Sequence, residues 1–314
     1  MDTDKTTKMA RDFWIGTDLP LRDTIRPGMP LRLKKSESPS KAVRRVARER
    51  VGAALERLRK SDRPAAVHGA RKEIKKLRAL FRLVRGEVKV STYRKGVKAL
   101  RAAADCLAAA RDARVMLKAF EKLAGPSARQ FAGIERALER HARREARQFR
   151  RDDSVALAER MLRKTSRRVG KLKIKATGWA AIAPGLKQSY QRGREDFRLV
   201  RRQPAAEHFH KWRKQVKDLW YYFSLLRPAR QAMTGDLELL GEQLGEDHDL
   251  FLLQQFIAKE RAAKTGEVKK MNRLIASRQK RLRAAALRLG ARLYAEPPAA
   301  FAAGCKLHKY GKTP

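Results

Sequence analysis

A row of cationic side chains follows one face of the segment 67–85. Its members recur at i, i+3, i+4 and i+7, and residues with that spacing share one side of a helix, which advances about 100° per residue. The row consists of His68, Arg71, Lys72 and Lys75, and Arg78 and Arg82 extend it. Ile74, Leu77 and Phe81 repeat on the opposite side and are predicted to anchor the helix in a core. Guanidinium and ammonium groups donate hydrogen bonds to oxygen anions, so the row indicates anion binding.

The same pattern returns in the segment 209–227. There the row consists of His210, Arg213, Lys214 and Lys217. The apolar positions of the first helix recur as well, so both copies are expected to bury the face opposite the cations. Two matching cationic helices in one chain predict a two-fold arrangement around one anionic ligand.

The charge balance of the whole chain favours a polyanionic ligand. In 314 residues, 76 Lys and Arg stand against 33 Asp and Glu, which gives a formal net charge of +43. Such an excess repels itself unless a counter-charge is present, and nucleic acid, an anionic membrane surface and a phosphate polymer are the candidates. With 43% hydrophobic residues the chain can bury a core, which excludes a disordered polycation.

Cysteine usage and hydropathy bear on the compartment. Cys106 and Cys305 show no metal-ligand spacing, so a reducing compartment is expected. The N-terminus lacks an apolar signal core, and no run approaches the roughly 18 apolar residues of a membrane span. These features predict a soluble, cytoplasmic protein without a membrane partner.

Helical periodicity runs through most of the chain and predicts an all-α fold. Residues 1–37, which include Pro20, Pro27 and Pro30, are expected to form an irregular leader. Residues 294–314 are expected to form a loose basic tail. No alternating apolar pattern indicates strands.

The helical segments fall into two similar halves, at about 38–150 and 180–293. A helix at about 153–171 has no counterpart in the repeat and is interpreted as a connector. The third helix is expected at about 92–123, with a bend near Asp112. The predicted architecture is two antiparallel four-helix bundles related by a pseudo-two-fold axis.

Recurring motifs give the chain a resemblance to a known family. Both halves contain H-x-x-R-K-x-x-K, which is followed by LAAARD at 107–112 and by LGEDHD at 244–249. In this order the motifs resemble the CHAD domain, the conserved histidine α-helical domain, over about 38–293. The resemblance implies two four-helix bundles that enclose a basic central channel and bind inorganic polyphosphate.

The resemblance also implies that the two motif rows line this channel. The helix that precedes each motif supplies two further rows, namely Arg45, Arg48 and Arg59 in the first half and Lys187, Arg194, Arg198 and Arg201 in the second. Four rows around one channel would hold many phosphates at once. Asp218 and Trp220 stand where the family usually has basic residues, so the second row is expected to be thinner at its C-terminal end.

No catalytic motif is apparent, and the protein is expected not to be an enzyme. Many family members carry a triphosphatase domain, but no alternating glutamates of that kind precede the helical region. Asp247, His248 and Asp249 are consecutive and point in different directions on a helix, so no metal or cofactor is predicted. Asp112 and Asp249 are expected to cap bends and to orient neighbouring basic residues.

Nucleic acid is the main alternative ligand, because a charge of +43 attracts RNA or DNA whatever the physiological ligand is. Single-strand binders stack bases on aromatic side chains. The apolar helix faces contain Trp212, Phe81 and Phe223, which are expected to pack in the core. Two further rings, Trp220 and Tyr221, lie nearer the basic side and remain candidates for stacking with bases.

The role of the histidines also stays open, since His68 and His210 either contact the ligand or are structural. If they contact it, their protonation below about pH 6.5 strengthens binding. The favoured hypothesis is non-catalytic binding of inorganic polyphosphate, with recruitment to polyphosphate granules in the cytoplasm.

Overall fold

The structure is a computed structural model that describes residues 37–60, 64–170, 172–226, 230, 232–260 and 264–305. The predicted leader lies outside these residues except for Glu37, and so does the end of the predicted tail, 306–314. Helices account for nearly all of the described residues, among which no strand occurs. The prediction of an all-α fold is therefore confirmed.

The α-helices are α1 (Pro39–Lys60), α2 (Pro64–Leu83), α3 (Val90–Cys106), α4 (Ala109–Ala124), α5 (Ala132–Arg151), α6 (Ser154–Val169), α7 (Ala183–Arg202), α8 (Ala206–Leu226), α9 (Ala232–Lys259), α10 (Thr265–Leu293) and α11 (Pro298–Gly304). Short 3-10 helices occupy Arg85–Glu87, Gly125–Phe131 and Gly178–Ala181. The two cationic rows lie on α2 and α8. Both motif segments are therefore helical, as their periodicity predicts.

The first core is built by α1, α2, α3 and α6. From α2, the side chains of Ile74, Leu77 and Phe81 are fully or almost fully buried in it. Burial of such a side chain contributes roughly 1.5–3 kcal/mol, so this face holds α2 in place and leaves its cationic face free. Helix α6, interpreted from the sequence as a connector, instead supplies Ala158 and Leu162 to this core.

The second core is rich in aromatic residues and lies among α7, α8, α9, α10 and α11. Trp212 and Phe223 of α8 are buried in it, as predicted. Trp220 and Tyr221 are buried as well, with 7% and 6% of their surface exposed. The expectation that these two rings remain available for base stacking is therefore wrong, because both faces of α8 at this end are covered by neighbouring helices.

The third core joins the two halves of the sequence. Met116 and Phe120 of α4 pack together with Leu253 of α9 and Met271 of α10, and Ile134 comes from α5. Two helices of the first half thus share a core with the C-terminal part of α9 and the N-terminal part of α10. The two halves therefore share a core.

The segment expected as one bent helix at 92–123 is two helices. The break falls at Leu107 and Ala108, whose amides donate to the carbonyls of Ala104 and Asp105 at 3.2 and 3.0 Å. These are bonds to the third preceding residue, which tighten and end α3 before α4 begins. The break therefore precedes Asp112, which lies in the first turn of α4.

The C-terminal segment is partly helical, contrary to the expectation of a loose tail. Phe301 of α11 is fully buried, and its ring stacks on Tyr190 with centroids 3.7 Å apart. The Tyr190 hydroxyl donates to the backbone carbonyls of Leu293 and Glu296, whose oxygen atoms lie 3.0 and 3.2 Å from it. Pro298 is the first residue of α11, a position that proline favours, and the aromatic packing holds this short helix against the second core.

The two halves approach each other closely at Gly185. A Cβ atom at this position would lie 1.8 Å from the carbonyl oxygen of Leu83. Only glycine allows the backbone of α7 to reach the end of α2 at this distance. This contact helps to fix where the cationic face of α2 stands relative to the second half.

Candidate functional site

The two cationic rows face each other where α2 packs against α8, and the first turns of α4 complete the site. We call these cations the central cluster: Arg71, Lys72, Lys75, Arg78, Arg111, Arg213, Lys214 and Lys217. They act on one another electrostatically, since the pKa of Lys75 is lowered by Arg111 and Arg213 and that of Lys217 by Arg213 and Lys72. The structure therefore brings both predicted rows into one cluster of positive charge.

Lys75 and Lys217 occupy equivalent places in the two rows and are both enclosed by like charges. Burial lowers the pKa of Lys75 to about 7, and Arg111 and Arg213 lower it further. Burial likewise lowers the pKa of Lys217 to about 8, with Arg213 as the next cause. Among the described residues, neither ammonium forms an ion pair. Each is thus a half-buried ammonium without an ion pair, although Glu242 and Glu238 oppose the lowering of the Lys217 pKa.

Arginine side chains in the cluster present donors without acceptors. The Nε atoms of Arg78 and Arg213 are buried and have no hydrogen-bond partner. A buried donor without a partner costs free energy comparable to its desolvation, about 1–3 kcal/mol. Arg71 is different, because its Nη1 donates to the carbonyl of Ala104 at 2.5 Å. That carbonyl lies in the last turn of α3 and also accepts from the Leu107 amide, and its bond to Arg71 holds the guanidinium in place.

Two aspartates lie at the edge of the cluster. Arg111 donates to Asp112 at 2.9 Å. The negative charge of Asp249 raises the pKa of Arg213 and so opposes the effect of burial on that guanidinium. The Oδ1 atom of Asp249 is itself buried without a hydrogen-bond partner, and burial raises the pKa of this carboxyl group. The predicted orienting role fits these contacts. The predicted capping role is wrong, because α9 runs unbroken past Asp249 and the start of α4 has no side-chain cap.

The histidines of the two rows differ in environment. His68 is exposed, whereas His210 is half-buried and its ring lies against that of His248 with centroids 4.1 Å apart. Burial lowers the pKa of His210 to about 4, and Lys214 and Arg213 lower it further. The His210 imidazole is therefore neutral near pH 7, so the predicted gain of charge below about pH 6.5 does not apply to it.

The rows predicted on the preceding helices are held by other partners or face solvent. Arg45 forms ion pairs with Glu37 at 2.8 Å and Glu49 at 3.0 Å. Arg194 donates to the carbonyl of Tyr294 at 3.0 Å. The exposed members are Arg48, Arg59, Lys187, Arg198 and Arg201. Arg198 and Arg201 line a separate open groove together with Arg202. The structure therefore assembles two of the four predicted rows at the central cluster.

An ion pair closes the first row. Arg82 of α2 donates to the carboxylate of Asp218 on α8, which is buried. Both residues line a small polar cavity, together with Arg85 and Arg192. Because Asp218 neutralises Arg82, we do not count Arg82 in the central cluster.

Two contributors to the site were not predicted from the sequence. Arg111 belongs to the LAAARD motif and to neither predicted row, yet it lies close enough to lower the pKa of Lys75. The sequence argument treats His248 only as a candidate metal ligand, whereas its ring lies against that of His210 with planes inclined by 34°. Periodicity within one helix could not reveal either role, because α4 and α9 reach the site from distant parts of the chain.

Comparison with known proteins supports the family resemblance. The family model for the CHAD domain matches residues 33–258. The chain is also similar to a solved structure described as the CHAD domain from the plant Ricinus communis, with a TM-score of 0.50 and 16% sequence identity over 86% of this chain and 91% of that one. No curated protein matches the chain. Since the family model covers most of the sequence, the chain belongs to the CHAD domain family.

Proposed function

We propose that this protein binds inorganic polyphosphate at the central cluster without turning it over. The observation that carries the proposal is the pair Lys75 and Lys217, two half-buried ammonium groups among arginines without an ion-pair partner in the described residues. A bound polyanion supplies the ion-pair partner that both lack. The family is one associated with polyphosphate binding, which agrees with this ligand.

The chemistry of the cluster suits a chain of phosphates. Polyphosphate has no bases or other recognition groups, so a protein holds it through its oxygens alone. Arginine provides a planar fork of donors for such oxygens, and lysine a mobile point charge. The unpartnered Nε donors of Arg78 and Arg213 gain acceptors when an anion binds. The site therefore recovers on binding the interactions that it lacks without ligand.

The groups at the site support binding and not catalysis. The cations of the cluster are donors, and the nearby aspartates lie against arginines. Within the described ranges, no group of three or more His, Cys, Asp or Glu side chains is placed to hold a metal ion. We therefore assign the protein no catalytic step.

We also propose that the protein is located at polyphosphate granules in the cytoplasm, as a consequence of this binding. No helix in the described part of the chain is long and apolar enough to cross a membrane. Fluorescently tagged protein is expected to colocalise with granules in cells that make polyphosphate, and to become diffuse when the granules are absent.

Competition between polymers tests the proposed ligand. Labelled long-chain polyphosphate is bound to the protein at physiological salt and is then challenged with unlabelled polyphosphate or with RNA at equal phosphate concentration. We expect polyphosphate to displace the label and RNA to displace far less of it. Equal displacement by RNA would show that the cluster binds polyanions without preference and would favour nucleic acid, the alternative ligand.

A further inference from the structure

A row of three aromatic rings lies beside the central cluster. It comprises His210 of α8 with His248 and Phe251 of α9, and we call it the ring row. The centroids of His210 and His248 are 4.1 Å apart, and those of His248 and Phe251 are 6.5 Å apart with planes inclined by 21°. All three residues are half-buried, so part of the row is open to solvent.

The two imidazoles of the ring row are neutral near pH 7. Burial lowers the pKa of His248 to about 3, and Arg213 and His210 lower it further. Neutral imidazole offers a planar π surface and hydrogen-bonding atoms without adding charge. The Nδ1 atom of His210 is buried and has no hydrogen-bond partner. The ring row is thus an uncharged, aromatic surface at the edge of a strongly cationic one.

The ring row adjoins the cations that the proposed function assigns to phosphate. Arg213, Arg111 and Lys214 all act electrostatically on His248. A ligand whose phosphates lie on these three cations has its next chemical group close to the rings. Inorganic polyphosphate has no group to place there, because it carries phosphates alone.

We propose that the ring row binds the nucleobase of a nucleoside polyphosphate whose phosphate chain lies on the central cluster. This inference rests on the proposed function, since it uses the same cations for the phosphates. Unstacked bases bind to proteins by stacking on aromatic side chains, including histidine and phenylalanine. The consecutive phosphates of such a nucleotide match a compact cluster of cations, whereas the phosphates of RNA are separated by sugars.

The size of the base contribution can be measured with matched ligands. ATP and inorganic tripolyphosphate both present three consecutive phosphates, and ATP carries no more charge than tripolyphosphate. Electrostatics alone therefore predicts no preference for ATP. Stacking of one base commonly strengthens binding by roughly tenfold. We expect ATP to bind about tenfold more tightly than tripolyphosphate, as measured by titration calorimetry without divalent cations.

Two substitutions at Phe251 separate stacking from packing. Phe251 carries no charge and is not a member of the central cluster. Phe251→Leu is therefore expected to change the Kd for tripolyphosphate by less than twofold while removing the preference for ATP. Phe251→Trp keeps an aromatic ring and is expected to retain the preference. Thermal unfolding of both variants monitors the fold.

Each possible result decides the inference. Equal Kd values for ATP and tripolyphosphate in the wild-type protein would overturn it, and so would equal losses for both ligands in Phe251→Leu. A larger Phe251-dependent gain with single-stranded RNA than with ATP would overturn the choice of a nucleoside polyphosphate. If neither tripolyphosphate nor long-chain polyphosphate binds, the proposed function fails instead.

Discussion

Arg82 of the first half and Asp218 of the second form an ion pair across the junction of α2 and α8. Asp218 occupies a position where a further cation would extend the second row, and its buried carboxylate instead neutralises the end of the first. Burial raises the pKa of Asp218, whereas Arg82 opposes that shift. The pair joins the halves and lies at the C-terminal end of the first cationic row.

Loss of Asp218 is expected to destabilise the protein. Asp218→Asn leaves the Arg82 guanidinium buried without its counter-charge, and breaking such a pair costs about 3 kcal/mol. The free energy of unfolding in urea measures this loss. The double replacement Arg82→Leu with Asp218→Leu is the control, because it removes both charges and should recover most of the stability. A loss below about 0.5 kcal/mol in Asp218→Asn would show that the pair does not hold the halves together.

Replacement of Lys75 is expected to separate stability from binding. Lys75→Met removes a buried ammonium that has like charges around it, so the free protein should gain about 1 kcal/mol in stability, as relief of a strained site often gives. The same change should weaken polyphosphate binding, because one phosphate loses its cation. Unfolding in urea and titration with polyphosphate measure the two effects. A destabilised Lys75→Met that binds normally would contradict the assignment of Lys75 to the site.

The stability of the free protein is expected to rise between about pH 7 and pH 9. In this interval the unfolded chain keeps Lys75 protonated, while the folded protein, with a Lys75 pKa of about 7, releases the proton. The unfolded state then binds more protons, so the free energy of unfolding increases with pH. Lys217, with a pKa of about 8, acts in the same direction.

Polyphosphate binding is expected to show the opposite dependence, because the ligand favours charged ammonium groups. Its affinity should fall from pH 7 to pH 9 as both lysines lose their protons. Thermal unfolding with and without polyphosphate across this interval measures both trends. In Lys75→Met both trends should be shallower, and unchanged slopes would assign them to other groups.

Salt is expected to weaken polyphosphate binding steeply, because binding releases counterions. If about eight cations contact phosphate, the slope of log K against log salt should be on the order of −5. Charge reversal of Arg71, Lys72, Arg213 and Lys214 should abolish binding at physiological salt. The matched control reverses four exposed cations of α10, namely Lys269, Lys270, Arg273 and Lys280. Similar losses in both variants would indicate attraction by net charge alone.

The close contact at Gly185 is expected to tolerate no side chain. Gly185→Ala places a Cβ atom 1.8 Å from the Leu83 carbonyl oxygen, so α7 must move away from α2. We expect a loss of about 3 kcal/mol in stability. Gly52→Ala in α1 is the control, since nothing lies within 4 Å of its Cβ position, and alanine there should stabilise the helix by about 0.5–1 kcal/mol. Equal effects of the two changes would argue against a tight junction.

Local periodicity was sufficient to predict the faces that α2 and α8 bury and most of the helices, but not the break between α3 and α4 or the helix α11. It also identified the cations of both rows, because residues at i, i+3, i+4 and i+7 share one side of a helix whatever surrounds it. The repeat then predicted that the two rows meet, and the structure brings Lys75 and Lys217 into one cluster.

Contacts between distant helices could not be predicted in this way. The ion pairs of Arg45 and the hydrogen bond of Arg194 depend on neighbours that helical spacing does not specify. The shared core of α4 and α9 is likewise set by packing of the whole chain. At the C-terminus, two prolines suggested a loose tail, but stacking of Phe301 on Tyr190 outweighs that local signal.

The interlocked third core has a consequence for synthesis on the ribosome. Phe120 of α4 belongs to the same core as Leu253 of α9, and the residues between them must be translated before this core is complete. At about 10 residues per second, α9 is synthesised on the order of ten seconds after α4, and the apolar face of α4 lacks this partner during that time. During that time the nascent first half exposes both an apolar surface and an excess of cations, so early contact with a polyanion or a chaperone would protect it from aggregation.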